Sequence, residues 1–250
     1  MDLELKGRTA LVTGASTGIG RAIARTLAAE GVKMAVVARR RELLVTLAEE
    51  VVVAGGVRPA IIVADMMAPE SPTRIRDEAL AALGVIEILV NCAGASRPLP
   101  VEAADDQWDE AMTLNFSRVR QLTHAVLPQM RERRFGRIIN ITGKSEPDRL
   151  NAAFAAKAGI HAWSKGLSKE IGKQGITVNC VAPGRIMSEQ IRRLYPEPER
   201  QALSDTEISV GRYGEPEDVA LMVAVLASPL AAYFTGIVVP VDGGLRRYQF

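Results

Sequence analysis

Histidine, cysteine and aromatic residues are scarce in this chain of 250 residues, which has two histidines, two cysteines and 4% aromatic residues. His124 and His161 both fall in helical patterns, with no cysteine or acid at ligand spacing, so no metal site is predicted. Cys92 and Cys180 lie in apolar runs and are predicted to be buried free thiols. This cysteine usage indicates neither a disulfide scaffold nor an oxidising compartment.

A strong excess of one charge and a membrane-length apolar run are also missing. The net charge of +2 does not indicate a nucleic-acid or membrane partner. The uncharged stretch 219–241 is broken by Pro229, Gly236 and Pro240, so it predicts a buried helix, a turn and a buried strand. The start of the chain carries acids where a secretion signal has bases, so a cytoplasmic location is expected.

What the sequence does contain is a regular alternation of short apolar runs with helical patterns. Continuous apolar runs are typical of parallel strands that are covered on both faces. The predicted strands are 9–14, 33–39, 58–65, 86–94, 136–142, 176–184 and 236–244. The predicted helices are 18–31, 40–54, 70–83, 105–133, 151–172 and 216–227, and 185–213 is polar and irregular. The pattern predicts an α/β fold, a single domain over 1–250 with a doubly wound parallel sheet of seven strands.

A glycine-rich turn, TGASTGIG (13–20), joins the first strand to the first helix. Gly14 permits the tight turn, while Gly18 and Gly20 let the backbone approach a ligand and let the helix pack on the strand. The N–H groups at the start of that helix can bind a pyrophosphate. The turn therefore predicts a Rossmann-type dinucleotide site.

The same letters also fit two other motifs. Residues 14–18 match the G-x-S-x-G of a hydrolase elbow around Ser16, but no strand lies before 9–14 to supply the oxyanion site, and both histidines are helical. A P-loop would need a lysine after Gly20, where Arg21 stands. Both alternatives are disfavoured.

Further motifs follow in order along the chain: VNCAG (90–94), TLNF (113–116), AAKAG (155–159), APGRIMS (182–188) and VDGG (241–244). Together with the glycine-rich turn, they resemble the short-chain dehydrogenase/reductase family nearly end to end, and its 3-oxoacyl-acyl carrier protein reductase-like members in particular. The resemblance implies that 185–213 covers the substrate. It also implies a nicotinamide cofactor, with Ser188 in place of the usual threonine beside the nicotinamide.

On this resemblance, cofactor contacts are expected from the glycine-rich turn, the ends of four further strands and one lysine. The residues are Gly14, Ser16, Thr17, Gly18, Ile19, Gly20, Arg39, Arg40, Asp65, Met66, Asn91, Ala93, Gly94, Lys157, Pro183, Gly184, Ile186 and Ser188.

The end of the second strand decides between the two nicotinamide cofactors. An acid there would bind a ribose 2′-hydroxyl and repel a 2′-phosphate. This chain has Ala38 at that place, followed by Arg39 and Arg40, and guanidinium groups suit a phosphate. NADP(H) is predicted, and NAD(H) is the less favoured alternative.

The chain departs from the family at the catalytic residues. The resemblance places Asn115 at the family's asparagine and Lys157 at its lysine. The tyrosine four residues before that lysine is replaced by Ala153, and the expected serine falls at Thr142 or Gly143. The expected proton donor is therefore missing.

Several side chains could replace the donor. Lys144 and Ser145 follow the position of the missing serine and are the candidates, together with a bound water. The same loop holds Glu146 and Asp148, and Tyr195 lies in the covering region. Four arginines near the substrate region favour an anionic substrate: Arg149, Arg185, Arg192 and Arg193.

Two functions are compatible with these residues. The first is an NADP(H)-dependent oxidoreductase that acts on a small carbonyl or alcohol. The alternative is an NADP(H)-binding protein with little or no catalysis, which serves as a sensor, scaffold or subunit. The family resemblance further implies a homotetramer or homodimer that assembles through 105–133 and 151–172.

Overall fold

The computed structural model describes residues 1–143 and 149–245, and within them one seven-stranded sheet forms, with every strand parallel to its neighbours. The strands are β1 Thr9–Thr13, β2 Lys33–Ala38, β3 Ala60–Val63, β4 Ile88–Asn91, β5 Gly136–Ile141, β6 Ile176–Pro183 and β7 Val238–Val241. Their order is β3-β2-β1-β4-β5-β6-β7. The predicted doubly wound parallel α/β sheet is confirmed.

Helices connect the strands. They are α1 Gly18–Ala29, α2 Arg41–Val53, α3 Ser71–Leu83, α4 Asp105–Met112, α5 Arg118–Arg133, α6 Ala152–Ile171, α7 Glu189–Leu194, α8 Glu197–Glu207 and α9 Pro216–Ala227. Successive residues of β1 alternate between two cores, with Ala10 and Val12 packing on the side of α1 and α9 and Leu11 on the side of α3 and α5. The apolar run of β1 is explained because both of its faces are covered.

The expected irregular region 185–213 contains two helices, α7 and α8. Ser188 caps α7, since its Oγ accepts a hydrogen bond of 3.1 Å from the backbone N–H of Ile191. Glu197 and Glu199 lie in the first turn of α8, where carboxylates favour the positive end of the helix. Both helices are short and polar, which hides them from a reading of apolar periodicity.

The predicted helix 105–133 is interrupted. A π-helical turn, Thr113–Ser117, separates α4 from α5. The side chain of Asn115 bonds back to the preceding helix, because its Nδ2 donates to the carbonyl of Ala111 in α4 at 3.0 Å. The turn orients Asn115 toward the loop that follows β4.

The second half of the uncharged stretch is less buried than expected. Helix α9 is largely buried, but β7 is half-exposed, and Pro240 is exposed. The reason is topological, since β7 is an edge strand and pairs only with β6. No helix in the described ranges is both long and apolar enough to cross a membrane.

Candidate cofactor and active site

A cleft of about 850 Å³ opens at the carboxyl ends of the strands, where the strand order reverses between β1 and β4. Its lining includes every cofactor residue expected from the sequence except Asn91. These are Gly14, Ser16, Thr17, Gly18, Ile19, Gly20, Arg39, Arg40, Asp65, Met66, Ala93, Gly94, Lys157, Pro183, Gly184, Ile186 and Ser188. Residues far apart in the sequence thus share one surface.

Asn91 lies behind the cleft. Its side chain is buried, and Nδ2 donates to Thr123 Oγ1 at 3.0 Å and to Asn140 Oδ1 at 2.8 Å. The amide therefore links β4 to α5 and β5 and supports the floor of the cleft from the inside.

The glycine-rich turn leaves room only for glycine at two positions. Gly14 has φ +71°, and a Cβ there would lie 2.9 Å from the backbone of Ala93. A Cβ on Gly20 would overlap the carbonyl oxygen of Gly14. Thr17, at the N-cap of α1, makes no side-chain cap, so the first N–H groups of α1 stay available on the cleft side. This cradle fits a dinucleotide pyrophosphate.

Arginines lie at the far end of this cradle. Arg39 and Arg40 line the cleft directly after β2, and Arg40 Nη2 donates to Thr17 Oγ1 at 3.3 Å. Asp65, after β3, accepts a 3.0 Å hydrogen bond from the backbone N–H of Met67. The end of β2 therefore presents positive charge and no acid.

Lys157 lies at the opposite end of the cleft. Its Nζ donates to the backbone carbonyl of Thr142 at 3.0 Å. Burial lowers the pKa of Lys157, and the nearby Cys92 offsets part of that effect. Burial also raises the pKa of the half-buried Cys92 thiol, to about 12. Cys92 is thus a thiol at neutral pH.

Asn115 is buried and its amide bonds only to backbone. Oδ1 accepts from Ala95 N at 3.2 Å, and Nδ2 donates to Ala95 O at 3.3 Å and to Ala111 O at 3.0 Å. A Cβ on Gly94 would lie 2.8 Å from Asn115 Oδ1. Asn115 thus positions the loop after β4 rather than lining the cleft itself.

The described positions at which the sequence analysis expected the family's tyrosine and serine offer no hydroxyl free of other contacts. Ala153 is 2% exposed, and the next residue, Phe154, faces the cleft with an aromatic ring. The hydroxyl of Thr142 lies 3.1 Å from the carbonyl of Val181 and 2.8 Å from Nε2 of His161. The proposed substitutes Lys144 and Ser145, with Glu146 and Asp148, lie outside the described residues.

Asn151 was missed by the sequence analysis. It is the N-cap of α6, with Oδ1 accepting from Ala153 N at 3.0 Å, and its Nδ2 donates to Ser96 Oγ at 2.8 Å. Both Asn151 and Ser96 line the cleft. An asparagine directly before an apolar helical pattern is a cap signal that could have identified it.

Arg118 was also missed. It is 9% exposed, and its Nε and Nη2 donate to the carbonyls of Met66 and Met67 at 3.0 and 2.8 Å. It thereby holds the loop after β3 against α5. No sequence signal marks this contact, because it joins segments that are about fifty residues apart.

Only some of the side chains predicted near the substrate line the cleft. Arg149, Arg185 and Tyr195 line the cleft, and Arg185 Nη2 pairs with Glu207 Oε2 at 2.7 Å. Arg192 and Arg193 are exposed on α7 and lie outside the lining. In the described part of the chain, Arg149 has no carboxylate partner.

Comparisons with known proteins agree with this geometry. The family model described as enoyl-(acyl carrier protein) reductase matches residues 14–246. The chain is 40% identical over 248 residues to the 3-oxoacyl-[acyl-carrier-protein] reductase FabG of Pseudomonas aeruginosa, covering 97% of this chain and 99% of that protein. It is 41% identical over 247 residues to nodulation protein G of Rhizobium sp. (strain N33), covering 97% of this chain and 98% of that protein.

A solved structure is similar over the whole fold. L-sorbose reductase from Gluconobacter frateurii, complexed with NADPH and L-sorbose, superposes with a TM-score of 0.93 at 29% identity, covering 99% of this chain and 100% of that one. The matched proteins carry different names. On the family match over residues 14–246 and the close relatives, the chain belongs to the short-chain dehydrogenase/reductase family.

Proposed function

We propose that the protein is an NADP(H)-dependent oxidoreductase that interconverts a carbonyl and an alcohol. The observation that carries the proposal is one cleft with a pyrophosphate cradle at the start of α1 and the ammonium of Lys157 at its other end. A bound nicotinamide would supply or accept the hydride. Lys157 would hold the nicotinamide ribose hydroxyls, and Asn115 keeps the loop after β4 in place.

Arg39 and Arg40 support the preference for a 2′-phosphate, and the similar L-sorbose reductase was solved with NADPH. The test is a fluorescence titration of the wild type with NADPH and with NADH. We expect micromolar NADPH binding, much weaker NADH binding, and a loss of that preference by about tenfold in Arg39→Ala.

The matched control is Arg41→Ala, which removes a neighbouring arginine that lies outside the cleft lining and should keep the preference. Equal affinity for both cofactors would contradict the NADP(H) assignment. An absence of binding to either would overturn the proposed function.

We propose further that the proton donor is not the usual tyrosine. The candidate donor is Lys144, Ser145 or a water bound beside them. Tyr195, which lines the cleft, is the alternative donor. Removal of a well-placed acid lowers turnover by about 10²–10⁴-fold. Turnover by Lys144→Ala and Ser145→Ala, with NADPH binding measured alongside, identifies the donor. If neither variant loses turnover, the donor is not in this pair.

One observation favours the second function, a cofactor-binding protein without turnover. Ala153 is buried and carries no hydroxyl at the family's tyrosine position. A screen of carbonyl compounds with NADPH separates the two functions. Tight NADPH binding with no oxidation of NADPH across aldehydes, ketones and keto acids would favour the binding protein.

We infer that an anionic substrate would bind near Arg149. Arg97 and Arg185 also line the cleft but pair with Glu110 and Glu207, at 2.6 and 2.7 Å. Arg149→Ala should raise KM for a keto acid by about tenfold and leave KM for a neutral ketone of the same size unchanged. Equal effects on both compounds would rule out charge recognition by this side chain.

For assembly, we propose a homodimer or homotetramer that forms through α5 and α6, as the family resemblance implies. The exposed side of these helices carries a tilted ring contact between His124 and Trp163, with centroids 6.0 Å apart. Light scattering of the wild type and of Trp163→Glu tests this: the variant should dissociate, and a monomeric wild type would contradict the proposal.

A further inference from the structure

Asn151 has a side-chain amide whose orientation is set by its neighbours. Its Oδ1 accepts two backbone hydrogen bonds, from Ala153 N at 3.0 Å and from Arg97 N at 3.1 Å. Only the amide oxygen can accept, so the two backbone donors exclude the flipped orientation. The Nδ2 group must therefore point to the other side, toward Ser96.

The hydrogen bond to Ser96 then has a defined direction. Asn151 Nδ2 donates to Ser96 Oγ at 2.8 Å, and the amide nitrogen cannot accept a proton in return. Ser96 keeps its own hydroxyl proton for another acceptor, and none of the described residues provides one. The side chain is exposed and lines the cleft, so this proton is available to a ligand in the cleft.

The hydroxyl also lies near the reacting end of the cleft. A single amide group, that of Asn151, connects Ser96 Oγ to the backbone of Ala153, the position of the family's tyrosine. Pro98 forms an antiparallel bridge with Asn151, which ties the Ser96 segment to the start of α6. Lys157 follows on the same helix and lines the same cleft.

We propose that Ser96 donates a hydrogen bond to the substrate oxygen, and that Asn151 is the positioning residue that directs it. This is the orienting contact that Gly143, without a side chain, cannot supply. Ser96 keeps its proton throughout, and the hydrogen bond stabilises negative charge that develops on the oxygen during carbonyl reduction. The inference rests on the proposed oxidoreductase function.

Two single substitutions remove the proposed hydrogen bond from Ser96 to the substrate in different ways. Ser96→Ala deletes the hydroxyl. Asn151→Asp keeps an oxygen for the two backbone donors, but its second oxygen would accept the proton of Ser96 and so turn the hydroxyl away from the substrate. Aspartate is as good an N-cap as asparagine, so Tm should not fall. Ser96→Thr retains a hydroxyl and serves as the conservative control.

We expect kcat to fall by about 10²–10³-fold in both Ser96→Ala and Asn151→Asp, as for the loss of one oxyanion donor. The dissociation constant for NADPH should not change in these variants, and Ser96→Thr should retain most of the wild-type kcat. The Ser96→Ala/Asn151→Asp double variant should lose no more kcat than either single variant, because both substitutions remove the same contact. Ketone binding to the NADP⁺-saturated protein, measured by calorimetry without turnover, should weaken by at most about tenfold.

The outcomes separate this inference from the proposed function. A wild type that binds no NADPH and reduces no carbonyl overturns both. A wild type with turnover overturns the role of Ser96 alone if Ser96→Ala retains wild-type kcat. If Ser96→Ala loses turnover but Asn151→Asp does not, the positioning role of Asn151 is wrong. Additive losses in the double variant would contradict the shared contact.

Discussion

The ammonium of Lys157 donates a hydrogen bond of 3.0 Å to the backbone carbonyl of Thr142. This bond ties the second turn of α6 to the residue that follows β5. The lysine is therefore held by the backbone of the protein and needs no neighbouring tyrosine to keep its place. Both ends of the contact line the cleft, so the cleft holds a fixed cation although Ala153, not a tyrosine, stands four residues before Lys157.

Replacement of Lys157 should change protein stability and NADPH binding in different directions. Burial disfavours the charged form of Lys157, whose pKa is lowered, so folding pays a desolvation cost that Lys157→Met removes. We expect Tm of the variant without cofactor to equal or exceed that of the wild type at pH 7, while NADPH binding weakens by about tenfold or more. Calorimetry measures Tm, and fluorescence titration measures NADPH binding. A clear fall in Tm would show that the hydrogen bond to Thr142 outweighs desolvation.

Lys157 should also make protein stability and NADPH affinity depend on pH. Because the folded-state pKa of Lys157 lies below the usual lysine value of about 10.4, its desolvation cost is complete below the folded pKa. The cost is relieved as pH rises through that lowered pKa toward the unfolded value. The Tm advantage of Lys157→Met should therefore shrink with rising alkaline pH, and NADPH affinity of the wild type should fall over the same range. The affinity of Lys157→Met should stay flat there, and parallel curves for the two proteins would contradict the assignment.

Arg118 should affect binding of the adenosine half of NADPH. Its guanidinium bonds to the carbonyls of Met66 and Met67, beside the cleft-lining Asp65. Arg118→Met should raise the dissociation constant for NADPH by about 10- to 100-fold, with a smaller effect on nicotinamide mononucleotide. Arg74→Met is the control, because the exposed Arg74 bonds to a carbonyl of the same segment, Val63 O, at 3.1 Å. Equal losses for both ligands would indicate a general structural effect instead.

Two glycine substitutions should have opposite effects on stability. In Gly94→Ala the new Cβ would lie 2.8 Å from Asn115 Oδ1, so we expect a loss of about 1–3 kcal/mol in the free energy of unfolding. Gly166 lies inside α6, and its Cβ would meet nothing within 4 Å. Gly166→Ala should therefore gain about 0.5–1 kcal/mol. Denaturant unfolding measures both, and an unchanged midpoint for Gly94→Ala would show that Asn115 can move without cost.

Arg137 should matter for folding but not for catalysis. It is buried in β5, far from the cleft, and donates to the carbonyls of Ser228 at 3.0 Å, Pro229 at 3.2 Å and Gly175 at 3.2 Å. Arg137→Met should cost on the order of 3 kcal/mol in unfolding free energy and leave the NADPH dissociation constant unchanged. Arg131→Met, which removes an exposed bond to a glutamine, should cost less than about 0.5 kcal/mol. A similar cost for both variants would show that burial of Arg137 adds nothing.

Much of the fold was predictable from local pattern. The strand and helix order follows from apolar runs and helical spacing, because parallel strands covered on both faces must be apolar throughout. The glycine-rich turn was equally readable, since Gly14 and Gly20 occupy positions that a Cβ would overfill. The prediction of an irregular 185–213 was wrong, because this region contains α7 and α8. Both helices are short and polar, so the serine cap of α7 and the acidic first turn of α8 mark them better than any apolar periodicity.

The candidate site was predictable only in part. The sequence by itself determined which segments are candidates for cofactor binding and that Ala153, not a tyrosine, stands four residues before Lys157. Only the tertiary structure decided that Asn91 lies behind the cleft and that Arg118 holds the loop after β3. It also decided that Asn151 directs Ser96, a hydrogen bond between residues 55 positions apart. The physical reason is that such bonds join strands, helices and loops that are distant in the sequence and that only the packed fold brings together, and no local periodicity encodes that contact.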